Sequence, residues 1–280
     1  MSSNKVWFVT GASQGLGLIL VKKLLSKGHR VAATSRTAST LKQAVGIHSE
    51  NFLPLAVDLH NVDSIEHAVQ QTLHTFGRID VVVNNAGYGM SGTLEEIDDV
   101  AIQSIFTVNV LATIHVTKTI LPYLRKQRSG YIINLSSVAG FSGAPGWSIY
   151  SATKAAVTAF SEVLAADVKE FGIYVTAVQP SGFRTGFLSQ QSLAVKDVQI
   201  EGYQAVKDTQ SKYLAMNDKQ QGDPDKAAEI MIDLSETVPP PLHLFLGKDA
   251  YTRANIKIEQ LAKEVNDWKA VTTSADFQDS

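Results

Sequence analysis

The stretch KVWFVTGASQGLG, residues 5–17, decides the fold of this chain. Its apolar run from Lys5 to Val9 predicts a buried strand, a glycine-rich turn follows at once, and a helical pattern begins at about Leu18. This order suits the pyrophosphate of a dinucleotide, because glycine lets the backbone approach the anion and a helix begins with free amide groups. The turn contributes these candidate cofactor contacts: Gly11, Ser13, Gln14, Gly15, Leu16 and Gly17.

Further apolar runs alternate with helical patterns along the rest of the chain. The predicted strands are Arg30 to Thr34, Phe52 to Val57, Ile79 to Val83, Tyr131 to Leu135, Tyr174 to Val178 and Leu242 to Leu246. The alternation predicts an α/β fold, a doubly wound, Rossmann-like parallel sheet with helices on both faces. In such a sheet the ligand site lies along the carboxyl ends of the strands.

The length of 280 residues and the 44% hydrophobic content fit one domain over residues 1–280, with no linker. Two segments stand apart within it. Residues 186–222 are polar and poorly patterned, which is typical of a substrate lid. Residues 250–280 are predicted to form a helical tail, with these candidate buried positions: Ile256, Leu261 and Val265.

Composition limits the classes of partner. A net charge of −2 with scattered lysines and arginines gives no reason to expect nucleic-acid binding. The chain has no cysteine, which excludes a disulfide framework, a thiol nucleophile and a cysteine-based zinc site, and suits the reducing cytoplasm. No metal site is predicted. No apolar run is seen that would reach the ~18 residues of a membrane span, and no signal peptide is expected.

Chemistry is concentrated between Ser136 and Lys154, after the predicted strand that ends at Leu135. Tyr150 and Lys154 are four residues apart, so they lie on one face of the predicted helix. A tyrosine titrates near pH ~10 unless a neighbouring cation lowers its pKa, and Lys154 supplies that cation. Ser137 can hydrogen-bond the same substrate oxygen. These groups could move a proton to or from an alcohol or carbonyl oxygen, although the spacing alone is common on ordinary helices.

The second predicted strand indicates which nucleotide binds. It ends in Ser35-Arg36, where an enzyme for NAD usually carries an acid on the ribose hydroxyls. A guanidinium can bind a 2′-phosphate in a bidentate manner, so Arg36 favours NADP(H), with NAD(H) possible. The alternative is a solvated surface arginine. Asp58, after the third strand, either accepts a hydrogen bond from adenine or starts the next helix.

Two other polar sites follow predicted strands or interrupt helices. Asn109 lies inside a helical run from Val100 to Arg128, where asparagine is unfavourable, so it either faces solvent or serves the catalytic helix. In the segment Gln179 to Thr185, Pro180 is expected to stop the strand and Gly182 to permit a turn, as in a loop that faces the cofactor.

Together these motifs resemble the short-chain dehydrogenase/reductase family over roughly residues 5–250. They are Thr-Gly-x-x-x-Gly-x-Gly at Thr10 to Gly17, Asn-Asn-Ala-Gly at Asn84 to Gly87, then Asn109, Ser137 and Tyr150-x-x-x-Lys154. The resemblance implies that Tyr150 exchanges the proton, that Lys154 lowers its pKa and binds the nicotinamide ribose, that Ser137 orients the carbonyl, and that Asn109 holds a relay water.

The same resemblance implies further cofactor contacts, with Asp58 on adenine, Thr185 on the carboxamide, and Arg36 where NADP-preferring members carry a basic residue. The full set beyond the glycine turn is Arg36, Asp58, Leu59, Asn85, Ala86, Gly87, Tyr150, Lys154, Pro180, Gly182, Phe183 and Thr185. The chain departs from the family in placing Ser181 between Pro180 and Gly182. It also has Gln14 where many NADP-dependent members carry a second basic residue.

The predicted activity is hydride transfer between NADP(H) and the carbonyl or secondary alcohol of a small, hydrophobic substrate. The candidate substrate contacts are Tyr88, Val138, Phe141, Trp147 and Phe187. Small residues on the catalytic helix predict a homodimer or homotetramer, and members of the family commonly dimerise through this helix. The alternatives are a non-catalytic NADP-binding sensor or scaffold, and an NAD-preferring alcohol dehydrogenase.

Overall fold

The computed structural model describes residues 4–189 and 192–277. Seven parallel strands form one sheet in the order β3-β2-β1-β4-β6-β7-β9, and two short parallel strands, β5 and β8, pair separately. The strands are β1 (Val6–Val9), β2 (Arg30–Ser35), β3 (Phe52–Ala56), β4 (Val81–Asn84), β5 (Gly89–Ser91), β6 (Gly130–Leu135), β7 (Ile173–Pro180), β8 (Leu193–Val195) and β9 (His243–Leu246).

Helices connect these strands and cover both faces of the sheet. They are α1 (Gly15–Ser26), α2 (Ala38–Val45), α3 (Val62–Phe76), α4 (Asp99–Phe106), α5 (Ala112–Gln127), α6 (Ser148–Val168), α7 (Gln204–Ala215), α8 (Pro224–Leu234), α9 (Lys248–Asp267) and α10 (Lys269–Thr273). The predicted doubly wound α/β fold is confirmed. All six strands predicted beyond the first are present, although β7 includes Pro180 instead of stopping before it.

Alternate residues of each strand face opposite layers, which is why both sides of the sheet are apolar. Trp7 and Val9 of β1 pack with α1, α2 and α8, whereas Val6 and Phe8 pack with α3, α5 and α6. The helix termini follow local chemistry. The side chain of Asn61 accepts hydrogen bonds from the first turn of α3, and Gly77 ends that helix in the left-handed region.

One long helical segment, Asp99–Gln127, is apolar enough to cross a membrane by length and composition alone. In the fold it belongs to the core instead. Its buried residues include Ile105, Val116, Ile120 and Leu124, and its α5 portion packs on α3 and β6. The core position of this helix accounts for its apolar composition.

The C-terminal tail is helical, but the prediction of its buried face is wrong. Ile256, Leu261 and Val265 are 49%, 38% and 69% exposed, whereas Ala250 and Ala254 are buried. Only the first turns of α9 touch the body of the protein, at β9 and the turn after β6. Beyond them the helix projects outward, and every described residue from 258 to 277 is exposed.

Candidate active site

A cleft of about 1300 Å³ runs along the carboxyl ends of the strands. It begins at the turn after β1, where Thr10 fixes the segment after β4. The Thr10 hydroxyl oxygen accepts hydrogen bonds from the backbone amides of Asn85 (3.0 Å) and Ala86 (3.1 Å). The Asn85 side chain returns two hydrogen bonds of 2.9 Å, to the carbonyls of Thr10 and Gly11. Two motifs distant in sequence thus form one rigid floor.

The amino terminus of α1 opens into this cleft. Gln14, at the N-cap, forms no side-chain cap, the first turn carries no acid, and Gly15 has φ +58°. Gly11, Ser13, Gln14, Gly15 and Leu16 line the cleft. A helix terminus with uncapped amides and no acid fits a pyrophosphate.

Gly17 has a different task from the other glycines of the turn. A Cβ atom there would lie 2.4 Å from Nδ2 of Asn85 and 2.7 Å from the carbonyl of Gly11. The residue is buried and does not line the cleft. Gly17 therefore supports the floor from behind and is not itself a contact surface.

The far end of the cleft is lined by Arg36, Asp58 and Leu59. The Arg36 side chain is exposed and forms no ion pair within the described chain. Asp58 is occupied locally, because its carboxylate accepts a hydrogen bond from the amide of His60 at 3.0 Å and lies 3.2 Å from its Nδ1. These contacts with His60 lower the pKa of Asp58. The carboxylate keeps free lone pairs, and Arg36 is available for an anion.

Tyr150 and Lys154 lie in the first turns of α6, in the middle of the cleft. Nζ of Lys154 donates a hydrogen bond to the carbonyl of Leu135 at 2.7 Å and lies 5.8 Å from the centre of the Tyr150 ring. Ser137 lines the cleft directly after β6, and its hydroxyl oxygen accepts the amide of Ala139 at 3.1 Å. The structure therefore brings the three predicted groups together.

Burial controls the protonation of this pair. Burial raises the pKa of Tyr150 to about 12, whereas the hydrogen bond of the Ser137 hydroxyl acts to lower it. Burial also lowers the pKa of Lys154 to about 8. Desolvation therefore sets the direction of the tyrosine pKa, and the predicted lowering by Lys154 is not seen. Tyr150 carries its proton at neutral pH.

Asn109 lies at a turn of π-helix, Thr107–Leu111, between α4 and α5. It is buried, so the solvent-facing alternative is wrong. Its Oδ1 accepts the amide of Tyr88 at 3.1 Å, and its Nδ2 donates to the Tyr88 carbonyl at 3.0 Å and to Oγ1 of Thr153 at 3.1 Å. A Cβ atom on Gly87 would lie 3.0 Å from Oδ1 of Asn109 and 3.4 Å from Nζ of Lys154. Asn109 thus joins the cofactor floor to the catalytic helix from behind, without lining the cleft.

The depressed pKa of Lys154 predicts an unusual stability effect. Below about pH 8 the folded protein bears the full cost of burying an ammonium, and this cost disappears as the pH rises toward the ordinary value of 10.5. Lys154→Met should therefore stabilise the protein at pH 7 by about 1 to 3 kcal/mol, after allowance for the lost hydrogen bond to Leu135. Denaturant unfolding at several pH values measures this difference.

The gain from Lys154→Met should shrink steadily between pH 8 and 10, because wild-type stability rises relative to the variant over that range. Lys22→Met, at an exposed position of α1, is the control and should show neither effect. A variant that is destabilised at pH 7 by an amount independent of pH would contradict the prediction.

The remaining wall of the cleft is mainly apolar and belongs to the predicted substrate side. The centroid of the Trp147 ring lies 5.5 Å from that of Tyr150 and 4.9 Å from that of Tyr213. The centroid of the Phe187 ring lies 5.8 Å from that of Tyr150. Tyr88 and Val138 also line this part. Phe141 does not line the cleft. Its ring packs on Phe245 at 5.3 Å, so the prediction of a substrate contact there is not supported by its position.

The loop after β7 closes the cleft on the nicotinamide side of the predicted site. Pro180, Gly182, Phe183 and Thr185 all line it. The additional residue Ser181 is accommodated by a hydrogen bond from its amide to the carbonyl of Leu246 at 3.0 Å. Phe183 bridges to Gly222, where a Cβ atom would lie 2.6 Å from the phenyl ring. Although the additional Ser181 departs from the family pattern, the loop still lines the cleft.

Sequence reasoning missed several residues that shape this site. Thr10 and Thr153 act through hydrogen bonds across the fold, and the Leu135 carbonyl orients Lys154 by its backbone alone. Tyr213 and Met216 reach the cleft from α7, in a segment without a clear pattern. Thr10 stands directly before Gly11, and that position in the motif could have indicated its role. Among the described residues, no group of three or more acidic or histidine side chains could hold a metal ion.

Comparison with known proteins defines the class. The family described as short chain dehydrogenase matches residues 5–195, which is more than half of the chain. The chain belongs to this family, as its motifs predict. It is therefore an oxidoreductase of the type that acts on a CH–OH or C=O group with a nicotinamide cofactor.

Two relatives and two solved structures specify the likeness further. Oxidoreductase BOA17 of Botryotinia fuckeliana is 36% identical over 273 residues, covering 97% of this chain and 99% of the relative. The 3-ketodihydrosphingosine reductase of Bacteroides thetaiotaomicron is 39% identical over 199 residues, covering 71% of each. A short-chain dehydrogenase from Streptomyces avermitilis has a TM-score of 0.90 at 32% identity, covering 99% of this chain and 100% of that one. ElxO with NADP bound has a TM-score of 0.72 at 25% identity, covering 86% and 96%.

Proposed function

We propose that this protein is an NADP(H)-dependent oxidoreductase that interconverts the carbonyl and secondary alcohol of a small hydrophobic substrate. The observation that carries the proposal is the position of Tyr150. Its ring lies between the glycine-rich floor, which fits a dinucleotide, and an apolar wall that contains Trp147 and Phe187. A substrate on that wall can reach both the tyrosine and the cofactor cleft.

The residues of the chain supply the proton and the orientation for this reaction. When bound, the nicotinamide supplies or accepts the hydride. Tyr150 is protonated at neutral pH, so in the reductive direction it can donate its proton to the carbonyl oxygen. The Ser137 hydroxyl lies beside Tyr150 and can donate its proton to the same substrate oxygen while its own oxygen accepts the amide of Ala139. Lys154, held by the Leu135 carbonyl, places a titrating group beside the tyrosine.

The apolar lining supports a hydrophobic substrate. Trp147, Leu188 and Leu193 are buried, and Tyr213 and Met216 add further apolar surface from α7. The relative from Bacteroides thetaiotaomicron is named for a ketone on a long aliphatic chain, which agrees with such a wall. A series of methyl ketones of increasing chain length, assayed with NADPH, tests this. Rates that rise with chain length and exceed those for small charged keto acids are expected, and the reverse order would contradict the substrate class.

We propose that residues 186–222 act as a lid over the substrate side. Part of the segment is held to the body by surface contacts: Lys196 donates to Asp98 at 2.7 Å, and the carboxylate of Glu96 accepts the amides of Gln199 (2.6 Å) and Ile200 (3.1 Å). Leu188 and Leu193 of the segment are buried in the substrate wall, so opening of the lid would also uncover this wall. Residues 190 and 191 of this segment lie outside the described part of the chain.

We also propose that the protein associates through α6, as a dimer or tetramer. The outward surface of α6 carries small exposed side chains at Ala152, Ala155 and Ala159, next to Val163, which is 63% exposed. Small residues let two helices approach closely, which supports this surface as an interface. Sedimentation of the wild-type protein measures the assembly.

The choice of nucleotide rests on Arg36. Arg36→Ala should weaken NADPH binding by about 10- to 100-fold and leave NADH binding within about twofold, because a charge-assisted contact with the 2′-phosphate is worth ~1.5–3 kcal/mol. Titration followed by nicotinamide fluorescence measures both affinities. Arg125→Ala, at an exposed position of α5 away from the cleft, is the matched control.

The NAD-preferring alcohol dehydrogenase remains the alternative for the nucleotide. Equal affinities of the wild-type protein for NADH and NADPH, with no effect of Arg36→Ala, would favour it and identify Arg36 as a surface residue.

A further inference from the structure

The projecting part of α9 carries a narrow apolar stripe. Its members recur at intervals of three and four residues, the spacing of the a and d positions of a coiled coil. They are Tyr251, Ala254, Ile258, Leu261, Val265 and Trp268. Apart from Ala254, which is buried against the body, they are 38% to 69% exposed. We call this set the α9 seam.

The opposite surface of the helix is polar except for Ile256. Lys263 and Asp267, one turn apart, form an ion pair there, so that side is satisfied in water. The helix is already formed and anchored by its first turns, where Arg253 donates to the carbonyl of Ser142. No other part of the described chain covers the exposed members of the seam.

We propose that the α9 seam pairs with the α9 seam of a second copy of this chain, in antiparallel orientation. The spacing of the stripe is symmetric about the point between residues 259 and 260. Antiparallel pairing therefore sets Ile258 against the partner's Leu261 and Tyr251 against the partner's Trp268, whereas Ala254 is covered by its own body and makes no contact with the partner. The dyad repeats each pair, as a twofold interface requires.

Charge supports this orientation. Lys257 and Glu264 flank the seam on the same side, one before and one after its centre, and the antiparallel pair sets them within about 3 Å of one level along the helix axis. In the antiparallel pair each Lys257 meets the partner's Glu264, and the dyad gives two such pairs of opposite charge. Flanking charges set the partner and the orientation in helix pairs. The parallel arrangement would instead place Tyr251 on Tyr251 and Trp268 on Trp268.

A lipid surface fits the seam less well. Helices that lie in a membrane interface present a broad apolar face and a polar face rich in lysine and arginine. Here the stripe is narrow, and residues 248–269 carry both signs, with Glu259, Glu264 and Asp267 among the lysines. A second copy is the occupant that the balanced charges favour.

Engineered cysteines test the pairing, because the natural sequence has none. Tyr251→Cys and Trp268→Cys are prepared as single variants and mixed under mild oxidation. A disulfide-linked dimer is expected from the mixture and not from either variant alone. Each variant carries a single cysteine, so a bond within one chain is excluded. Covalent dimers of either variant by itself, or none from the mixture, would overturn the antiparallel pairing.

Sedimentation of the full chain provides a second readout, in which variants altered only in α9 are compared so that any association through α6 is common to all of them. Ile258→Glu should weaken the α9-dependent association at least about tenfold, whereas Ile256→Glu, an equally exposed isoleucine off the seam, should leave it unchanged. Lys257→Glu should also weaken it, and Lys257→Glu combined with Glu264→Lys should restore it.

Equal behaviour of the two isoleucine variants would overturn the proposal. A wild-type chain that stays monomeric and binds phosphatidylcholine vesicles through Ile258 would also overturn it, in favour of a lipid partner.

Discussion

Replacing Tyr150 by phenylalanine should lower kcat by about 10²- to 10⁴-fold, the usual contribution of a positioned proton donor. The hydroxyl is the only atom removed, and the ring keeps its contacts with Trp147 at 5.5 Å and Phe187 at 5.8 Å. Because Lys154 is fixed by the Leu135 carbonyl and not by Tyr150, its position should not change. Binding of NADPH should therefore stay within about twofold of wild type, while turnover of a ketone is lost.

Tyr123→Phe is the matched control for this change. Its hydroxyl, on α5, accepts a hydrogen bond from Nε2 of Gln70 on α3 at 2.7 Å and lies outside the cleft. It should keep wild-type turnover. If Tyr150→Phe retains most of its activity, the proposed proton donor is wrong. If the wild-type protein binds NADPH but turns over no ketone or alcohol in a broad screen, the non-catalytic sensor or scaffold becomes the better interpretation.

Among substitutions that add a single methyl group in the catalytic region, Gly140→Ala should cause the largest loss of stability and activity. Gly140 ends the short turn after Ser137 and lies against α6, where a Cβ atom would be 2.6 Å from the carbonyl carbon of Lys154 and 2.7 Å from the amide of Ala155. Both are backbone atoms of a helix and cannot rotate away. We expect a loss of about 1 to 3 kcal/mol in the free energy of unfolding, typical of overpacking, and a large fall in kcat, because α6 carries Tyr150 and Lys154.

Gly143→Ala separates this steric effect from a general sensitivity of the loop. A Cβ atom at Gly143 would meet only the Ser151 hydroxyl at 3.1 Å, and no other atom closer than 3.7 Å. Ser151 can rotate, so stability should change by less than about 0.5 kcal/mol. Thermal unfolding with and without NADPH measures both variants. Equal stabilities for the two would show that the contact of Gly140 with α6 is not tight in solution.

The sheet and the position of the motifs could be predicted because each strand is an apolar run that ends in polar or small residues. Asn85, Ser137 and Arg36 follow three such strands, and parallel strands bring their carboxyl ends to one edge. The protonation of the catalytic pair could not be predicted. Spacing shows that Lys154 is near Tyr150, but burial decides both pKa values, and burial depends on the packing of the whole wall.

The remaining differences also have physical causes. Asn109 faces inward because a π-helical turn changes the register of the long helix, and no sequence signal marks such a turn. Phe141 lies near the motifs in sequence, yet its ring finds a partner in Phe245 on a distant strand. The apolar positions of α9 are real, but periodicity indicates only that a stripe exists. It cannot tell whether the protein's own body covers it.

The two-stranded ribbon of β5 and β8 bears on how substrate preference can change among relatives of this protein. It joins the part of the chain shared across the family, which ends at residue 195, to the segment that brings Tyr213 and Met216 to the cleft. Beyond the ribbon the segment packs on the substrate wall, where Tyr213 lies against Trp147, and it is tied to the surface by pairs such as Lys196 with Asp98. Mutations there can accumulate without disturbing the nucleotide floor, so new substrate preferences can arise on an unchanged catalytic frame. A chimera that exchanges residues 196–222 with those of a relative would carry the preference of the donor.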